Sequence, residues 1–288
     1  SLGPVGTVRT TLDPVLQEAV ESEVRHTVAQ LRSYGAEQAA AVVLDNRSGG
    51  VLAWVGSPDF FETRTGQVDM VGSARQPGPT LKPFLYGLAF DHGYTPATLL
   101  HDVATVYPTA TGPYAPRNYD RTYHGPVRIR EALASSYNVP AVELASRLGP
   151  ALLLETLHRA GFASLTRPAD HYGLGLALGN GDVTLLELAN GYRAIANGGR
   201  WRPVQWKDGQ AQVADSVLRV MSPEAAIQTI DILADPLARL PAFGPVTPLE
   251  FGFRTAAKTG TSRHFTDNWA VATTAAFTVA VWAGNFNG

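Results

Sequence analysis

The stretch Arg254-Thr255-Ala256-Ala257-Lys258-Thr259-Gly260-Thr261-Ser262 decides the reading of the fold. Arg254–Thr259 and the largely apolar run Asn268–Trp282 behind it together supply two or three strands. A cation, a hydroxyl and a glycine then stand on a strand edge. Such an edge suits a ligand carboxylate and an extended peptide, because glycine lets a ligand backbone come close. Alone the tripeptide is a weak signal, since a surface strand with a turn glycine explains it too.

At the other end of the chain, Ala39–Leu44 and Val51–Val55 are short apolar runs around Asn46-Arg47-Ser48-Gly49-Gly50, a β-hairpin with a long turn. Before it, Asp13 can cap a helix with Pro14 in its first position and Leu16, Val20, Val24 and Val28 on one stripe. Helical patterns fill 82–92, 128–147, 150–160, 184–197 and 223–234. Glycine and proline cluster at 72–79, 107–116 and 241–252, which read as loops. The first and last strands can share one antiparallel sheet with the helices between them, an α+β arrangement. The expected division is 1–35 as an N-terminal linker with a leading helix, and 36–288 as one compact catalytic-type domain.

Composition removes several functions. The chain has 288 residues, 45% hydrophobic and 17% charged, which is globular and not disordered. A net charge of −2 lacks the basic footprint of a nucleic-acid binder. With no cysteine there are no disulfides, thiol nucleophiles or thiolate metal sites. The seven histidines, among them His101, His124 and His264, have no metal-ligand spacing. No apolar run is long enough to span a membrane, and Ser1-Leu2-Gly3-Pro4 is polar and turn-like, not a signal peptide. A location outside the cytoplasm would therefore make these residues a piece of a longer chain.

Two further stretches carry chemistry. Ser136-Tyr137-Asn138 places a hydroxyl and an amide two residues apart, on a loop between helices if Pro140 breaks the helical run. Lys82 follows Arg75-Gln76-Pro77-Gly78-Pro79-Thr80-Leu81 and opens the apolar helix Phe84–Phe90. A lysine at a helix N-terminus opposes the macrodipole, and if buried it holds its proton weakly and can act as a base.

In order and spacing, the three stretches match S-x-x-K, S-x-N and K-T-G of the penicillin-recognising serine acyltransferases. Nearly the whole chain resembles the transpeptidase domain of bifunctional (class A) penicillin-binding proteins, most closely the 1C type. The resemblance also rests on Thr10-Thr11-Leu12-Asp13, on Ala41–Asp45 with Gly50–Ala53, on Tyr114–Asp120, on His124-Gly125-Pro126-Val127 and on Gly175–Gly199. It implies the penicillin-recognising fold, an antiparallel sheet flanked by an all-helical subdomain. It also implies cross-linking of peptidoglycan stem peptides through a serine acyl-enzyme, inhibition by β-lactams, and no metal or organic cofactor. A preceding glycosyltransferase domain and a periplasmic location follow from the same resemblance. So does a terminal helix on the sheet, which this sequence, stopping at Asn285-Phe286-Asn287-Gly288, is expected to lack.

Carried over residue by residue, Lys82 takes the nucleophile's proton, Ser136 passes a proton to the leaving group and Asn138 holds the donor amide. Lys258 completes the electrostatics. Thr259 and Thr261 bind the donor carboxylate, Gly260 and Ser262 complete that strand, and Tyr137 flanks the cleft. Asp267-Asn268-Trp269 resembles the family's turn between the last strands, with Trp269 as a packing anchor; Trp54, Trp201, Trp206 and Trp282 read as core or rim packing.

The match breaks at Pro79, three residues before Lys82, where the family has serine. Proline has no hydroxyl to attack and no N–H to serve as an oxyanion donor beside that expected from Thr261. Losing such a donor costs about 10²–10³ in rate and losing the nucleophile about 10⁶. Proline is tolerated in a first helical turn, and Gly78 before it accepts an extended backbone. Thr80 is two residues from Lys82 and cannot face it on a helix, and Ser73 lies in a loop upstream. The sequence therefore implies an inactive transpeptidase domain, or a natural pseudo-transpeptidase that binds peptide or protein without turnover. A serine β-lactamase or sensor domain is disfavoured, because the 1C-like stretches lie outside the shared motifs and no deacylating glutamate stands out.

Overall fold

The computed structural model describes residues 7–109, 112–207 and 217–287. Ser1–Pro4, part of the loop at 107–116 and Gly288 lie outside the described residues. The helices are α1 (Pro14–Leu31), α2 (Lys82–Asp91), α3 (Ile129–Ala134), α4 (Asn138–Leu148), α5 (Pro150–Arg159), α6 (Ala169–Tyr172), α7 (Leu185–Ala196), α8 (Pro223–Leu233) and α9 (Pro236–Phe243). The strands are β1 (Gln38–Asp45), β2 (Val51–Val55), β3 (Leu99–Asp102), β4 (Tyr107–Thr109), β5 (Gly112–Tyr114), β6 (Gly125–Arg128), β7 (Arg200–Trp201), β8 (Leu218–Arg219), β9 (Ala256–Thr261), β10 (Asp267–Thr273) and β11 (Phe277–Gly284).

β1, β2, β9, β10 and β11 form one antiparallel sheet in the order β2-β1-β11-β10-β9. The first hairpin and the last strands therefore share a sheet, as an α+β arrangement requires. β1 is an unbroken apolar run because it is covered on both faces. β9, which carries Lys258-Thr259-Gly260, is an outer strand of the sheet.

One face packs on α7 and the helical region through a core that includes Val42, Leu44, Phe84, Leu85, Tyr192, Ile195, Val271 and Trp282. α7 starts at a capping box: Thr184 accepts from the Glu187 N–H, and the Glu187 carboxylate accepts from the Thr184 N–H. On the other face, Val24 and Val28 of α1 bury Ala39, Ala41 and Val55. α1 thus covers the β1–β2 part of that face, while Val281 on β11 remains 38% exposed. No helix among the described residues is long and apolar enough to cross a membrane.

Three local expectations are corrected. The helical pattern over 128–147 is two helices, broken at Ser135–Tyr137. Pro140 does not make the break; it sits in the first turn of α4, where the missing N–H costs nothing. Ser136 makes it, with a left-handed φ of 61°. Asp267-Asn268-Trp269 is not a turn but the start of β10, the turn being 262–266. Gly78 is not extended: its φ is +57° and it opens a 3₁₀ turn, Gly78–Leu81, that runs into α2.

Candidate active site

The 3₁₀ turn and α2 fix Lys82. The Lys82 N–H donates to the Pro79 carbonyl, and its side chain is fully buried. Its ammonium donates to the carbonyls of Ser136 and Tyr137 (2.9 Å for the latter) and to Asn138 Oδ1 (2.8 Å). Ser136 Oγ lies 3.4 Å away. Lys258 reaches the same point from β9: its Nζ is 2.7 Å from Ser136 Oγ and 2.8 Å from the Thr259 carbonyl. The structure therefore brings Lys82, Ser136, Asn138 and Lys258 together.

Two buried lysines meet at one hydroxyl, and each holds its proton weakly. Burial first, and then the charge of Lys258, push Lys82 well below the ordinary lysine range. Burial, helped by the Arg239 guanidinium, brings Lys258 down to about 7. Arg239 is itself buried, its guanidinium donating to the carbonyls of Leu233 and Leu249. A hydroxyl held between two such lysines can relay a proton from one to the other.

The left-handed Ser136 aims its carbonyl and hydroxyl at the lysines, a conformation that costs about 1–3 kcal/mol and needs support. Asn118 supplies it: its Oδ1 accepts from the N–H groups of Asn138 (2.8 Å) and Val139 (3.2 Å), the first two residues of α4. Its Nδ2 donates to both oxygens of the fully buried Asp102 (2.8 and 2.7 Å). Asp102 also contacts His124 Nδ1 (2.6 Å), and the His124 ring stacks on Tyr137 with centroids 4.1 Å apart. Asp102, Asn118, His124 and Arg239 were not singled out from sequence as parts of the site. They act through partners remote along the chain, and only the Tyr114–Asp120 and His124–Val127 stretches stand out, as family resemblance.

Several expected residues are engaged within the protein. Tyr137 is 6% exposed against His124, so its backbone carbonyl is what meets Lys82. Asn138 Nδ2 donates to the Arg117 carbonyl (2.9 Å). The Ser262 hydroxyl binds the turn, 3.0 Å from Asp267 Oδ2 and from Thr266 Oγ1. Thr261 Oγ1 is 3.4 Å from Asn268 Oδ1, and Thr259 is half-buried on β9. A Cβ on Gly260 would stand 2.4 Å from the Pro77 carbonyl and 3.1 Å from the Thr80 nitrogen. Glycine here admits the protein's own Pro77–Thr80 turn. Trp269, 3% exposed, anchors the same turn through Nε1 to the Gln76 carbonyl (2.9 Å).

Pro79 sits between buried Gly78 and buried Thr80 and is itself partly exposed. A Cβ on Gly78 would meet the Thr261 backbone at 2.6–3.1 Å, so β9 closes directly on the turn. Neither substitute nucleophile is free. Thr80 is fully buried with its hydroxyl on the Pro77 carbonyl (2.9 Å), and Ser73 Oγ donates to the Asp69 carbonyl (2.7 Å).

The chain matches the family described as "Penicillin binding protein transpeptidase domain" over residues 39–285, a span that includes every group above. It belongs to that family. It is 36% identical over 287 residues to penicillin-binding protein 1C of Escherichia coli, covering 98% of this chain and 35% of that protein. It is also 36% identical over 166 residues to penicillin-binding protein 1A of Neisseria meningitidis, covering 56% of this chain and 20% of that one. The chain thus spans about a third or less of these curated relatives. Among solved structures, PonA1 of Mycobacterium tuberculosis aligns with a TM-score of 0.77 at 22% identity, over 98% of this chain and 77% of that one. Penicillin-binding protein 3 of the same organism, complexed with aztreonam, aligns at 0.78 and 22% identity, over 97% and 73%. These likenesses show the penicillin-binding transpeptidase fold.

Proposed function

We propose that this domain is a D,D-transpeptidase by construction, that it recognises the D-Ala–D-Ala end of peptidoglycan stem peptides and β-lactams, and that Pro79 leaves it without acyl transfer. The observation that carries this reading is the convergence of Lys82, Ser136, Asn138 and Lys258 beside a turn whose partly exposed residue is a proline. With a serine at 79, Lys82 would take the hydroxyl proton as the oxygen attacks the D-Ala carbonyl, and Ser136 would return a proton to the departing amine. Thr259 and Thr261 would hold the donor carboxylate beside Lys258, and Asn138 the donor amide. With proline, the first bond cannot form, so binding is non-covalent.

A natural pseudo-transpeptidase is the second reading, favoured by how well the site tolerates the proline. Pro79 occupies one of the first two positions of its 3₁₀ turn, where no intrahelical N–H bond is lost. Under either reading the substrate lies outside the cytoplasm, and a glycosyltransferase domain is the expected neighbour in a longer chain. A fluorescent penicillin tests the proposal. Signal removed by denaturation supports it; label that survives denaturation on the unaltered chain overturns it.

A further inference from the structure

The turn between β1 and β2 and the C-terminal end of α7 enclose a pocket of about 160 Å³ that the proposed chemistry does not use. Among the described residues its lining is Asn46, Arg47, Arg193, Asn197, Arg200 and Arg202, with four cations and no acid. It lies where β10 turns into β11: the Asn46 N–H donates to the Ala276 carbonyl (2.8 Å), and Asn46 Nδ2 to that of Thr274 (2.9 Å). None of Lys82, Ser136, Asn138 and Lys258 lines it, so the pocket is separate from the lysine cluster.

Arg193 is the buried member, 3% exposed. Its Nε donates to Asn190 Oδ1 (2.8 Å) and its Nη2 to the Arg202 carbonyl (2.6 Å). Its Nη1 makes no hydrogen bond among the described residues and lies 2.7 Å from where a Cβ on Gly49 would stand. Among the described residues, no carboxylate pairs within 4.0 Å with Arg47, Arg193 or Arg200. Asp45 is near enough to act on Arg193, but its Oδ1 is occupied by the Ser48 N–H (2.6 Å) and hydroxyl (2.7 Å). Burial, and then the Arg202 guanidinium, lower Arg193 to about 10, which leaves it charged at neutral pH. The dipole of α7 favours one cation at this end but does not account for Arg47, Arg193 and Arg200 together.

We infer that this pocket binds a phosphate group, either free or as the terminal group of a larger molecule. A buried guanidinium with no carboxylate in direct contact among the described residues favours a counter-ion, and the planar forks of several arginines match the oxygens of phosphate. The volume suits one phosphate group and not an extended polymer.

Isothermal titration calorimetry with sodium phosphate, against sodium chloride matched in ionic strength, tests this. Phosphate should give saturable binding that chloride does not. The double variant R47Q/R200Q, both side chains exposed and so compatible with folding, should bind about tenfold more weakly, as expected for lost charge-assisted hydrogen bonds. Absence of saturable heat, or binding that R47Q/R200Q leaves unchanged, overturns the proposal. Sedimentation with phosphatidylcholine vesicles with and without phosphatidic acid separates the sources. Retention that needs phosphatidic acid and is lost in R47Q/R200Q assigns the site to a lipid headgroup; phosphate binding without retention assigns it to a soluble phosphate.

Discussion

The ammonium of Lys258 stands 2.7 Å from the hydroxyl of Ser136, across 122 positions of chain. That contact joins the sheet to the helical region at the point where Lys82 also arrives, and it gives the site most of its testable behaviour.

Restoring the hydroxyl should restore covalent chemistry. P79S is expected to acquire denaturation-resistant label from a fluorescent penicillin, while the unaltered chain and P79A acquire none. P79A returns the backbone N–H without a nucleophile, so it separates the two losses; the missing nucleophile alone accounts for about 10⁶ in rate. P79S should also be less stable by about 0.4–1 kcal/mol, because the unfolded chain regains freedom. A label-free P79S that binds penicillin reversibly would mean the lysines are not competent.

Asn118 should behave as a positioning residue. N118A removes two acceptor contacts at the start of α4 and should cost about 1–2 kcal/mol in urea unfolding. In a P79S background it should slow acylation by penicillin more than it weakens initial binding, since Ser136 and Asn138 would lose their placement. Equal effects on rate and binding would point to a merely structural role.

G260A should be poorly tolerated despite its small size. Its Cβ would collide with backbone at Pro77 and Thr80, and overpacking of this kind costs about 1–3 kcal/mol. Thermal unfolding of G260A beside G252A, at a position with open space around it, provides the comparison.

The buried lysines make stability depend on pH. Lys258 has a folded-state value of about 7 against an ordinary 10.5, so between these the unfolded chain binds more protons than the folded one. Stability should therefore rise with pH through that window, and the penalty is present in full below it. Lys82, shifted in the same direction, acts with the same sign. K258M should flatten the rise in urea midpoints between neutral and mildly alkaline pH; an unchanged slope would place the titration elsewhere.

The convergence of Lys82, Ser136, Asn138 and Lys258 was legible because these residues fall in three short motifs with fixed spacing. The sheet was legible because Ala39–Leu44 and Phe277–Gly284 keep strand character at both ends of the chain. What supports the motifs was not legible. Asp102 lies 16 residues from Asn118, and Asn118 lies 20 from the N–H it caps, so neither contact leaves a periodic trace. Arg239 acts on Lys258 through space, from α9, whose internal Pro241 reads from sequence as the start of a loop. Pro140 and Gly78 misled for one reason: a residue's preference fixes what it can adopt, while tertiary contacts decide which permitted state is used. Gly260 was recognised as a close-approach position, but which backbone approaches cannot be read without the turn in place.

The strand order β2-β1-β11-β10-β9 has a consequence for synthesis. β1 leaves the ribosome well before its second neighbour, β11, which follows some 230 residues later. The helical region can gather locally while β1 waits with one edge open, and Lys258 meets Ser136 in a finished sheet only after Phe277–Gly284 has been released. Non-local pairing of this kind is slow and leaves an adhesive edge exposed meanwhile. Premature termination within β11 should therefore yield nascent chains that need chaperone protection, with helices assembled and no cleft.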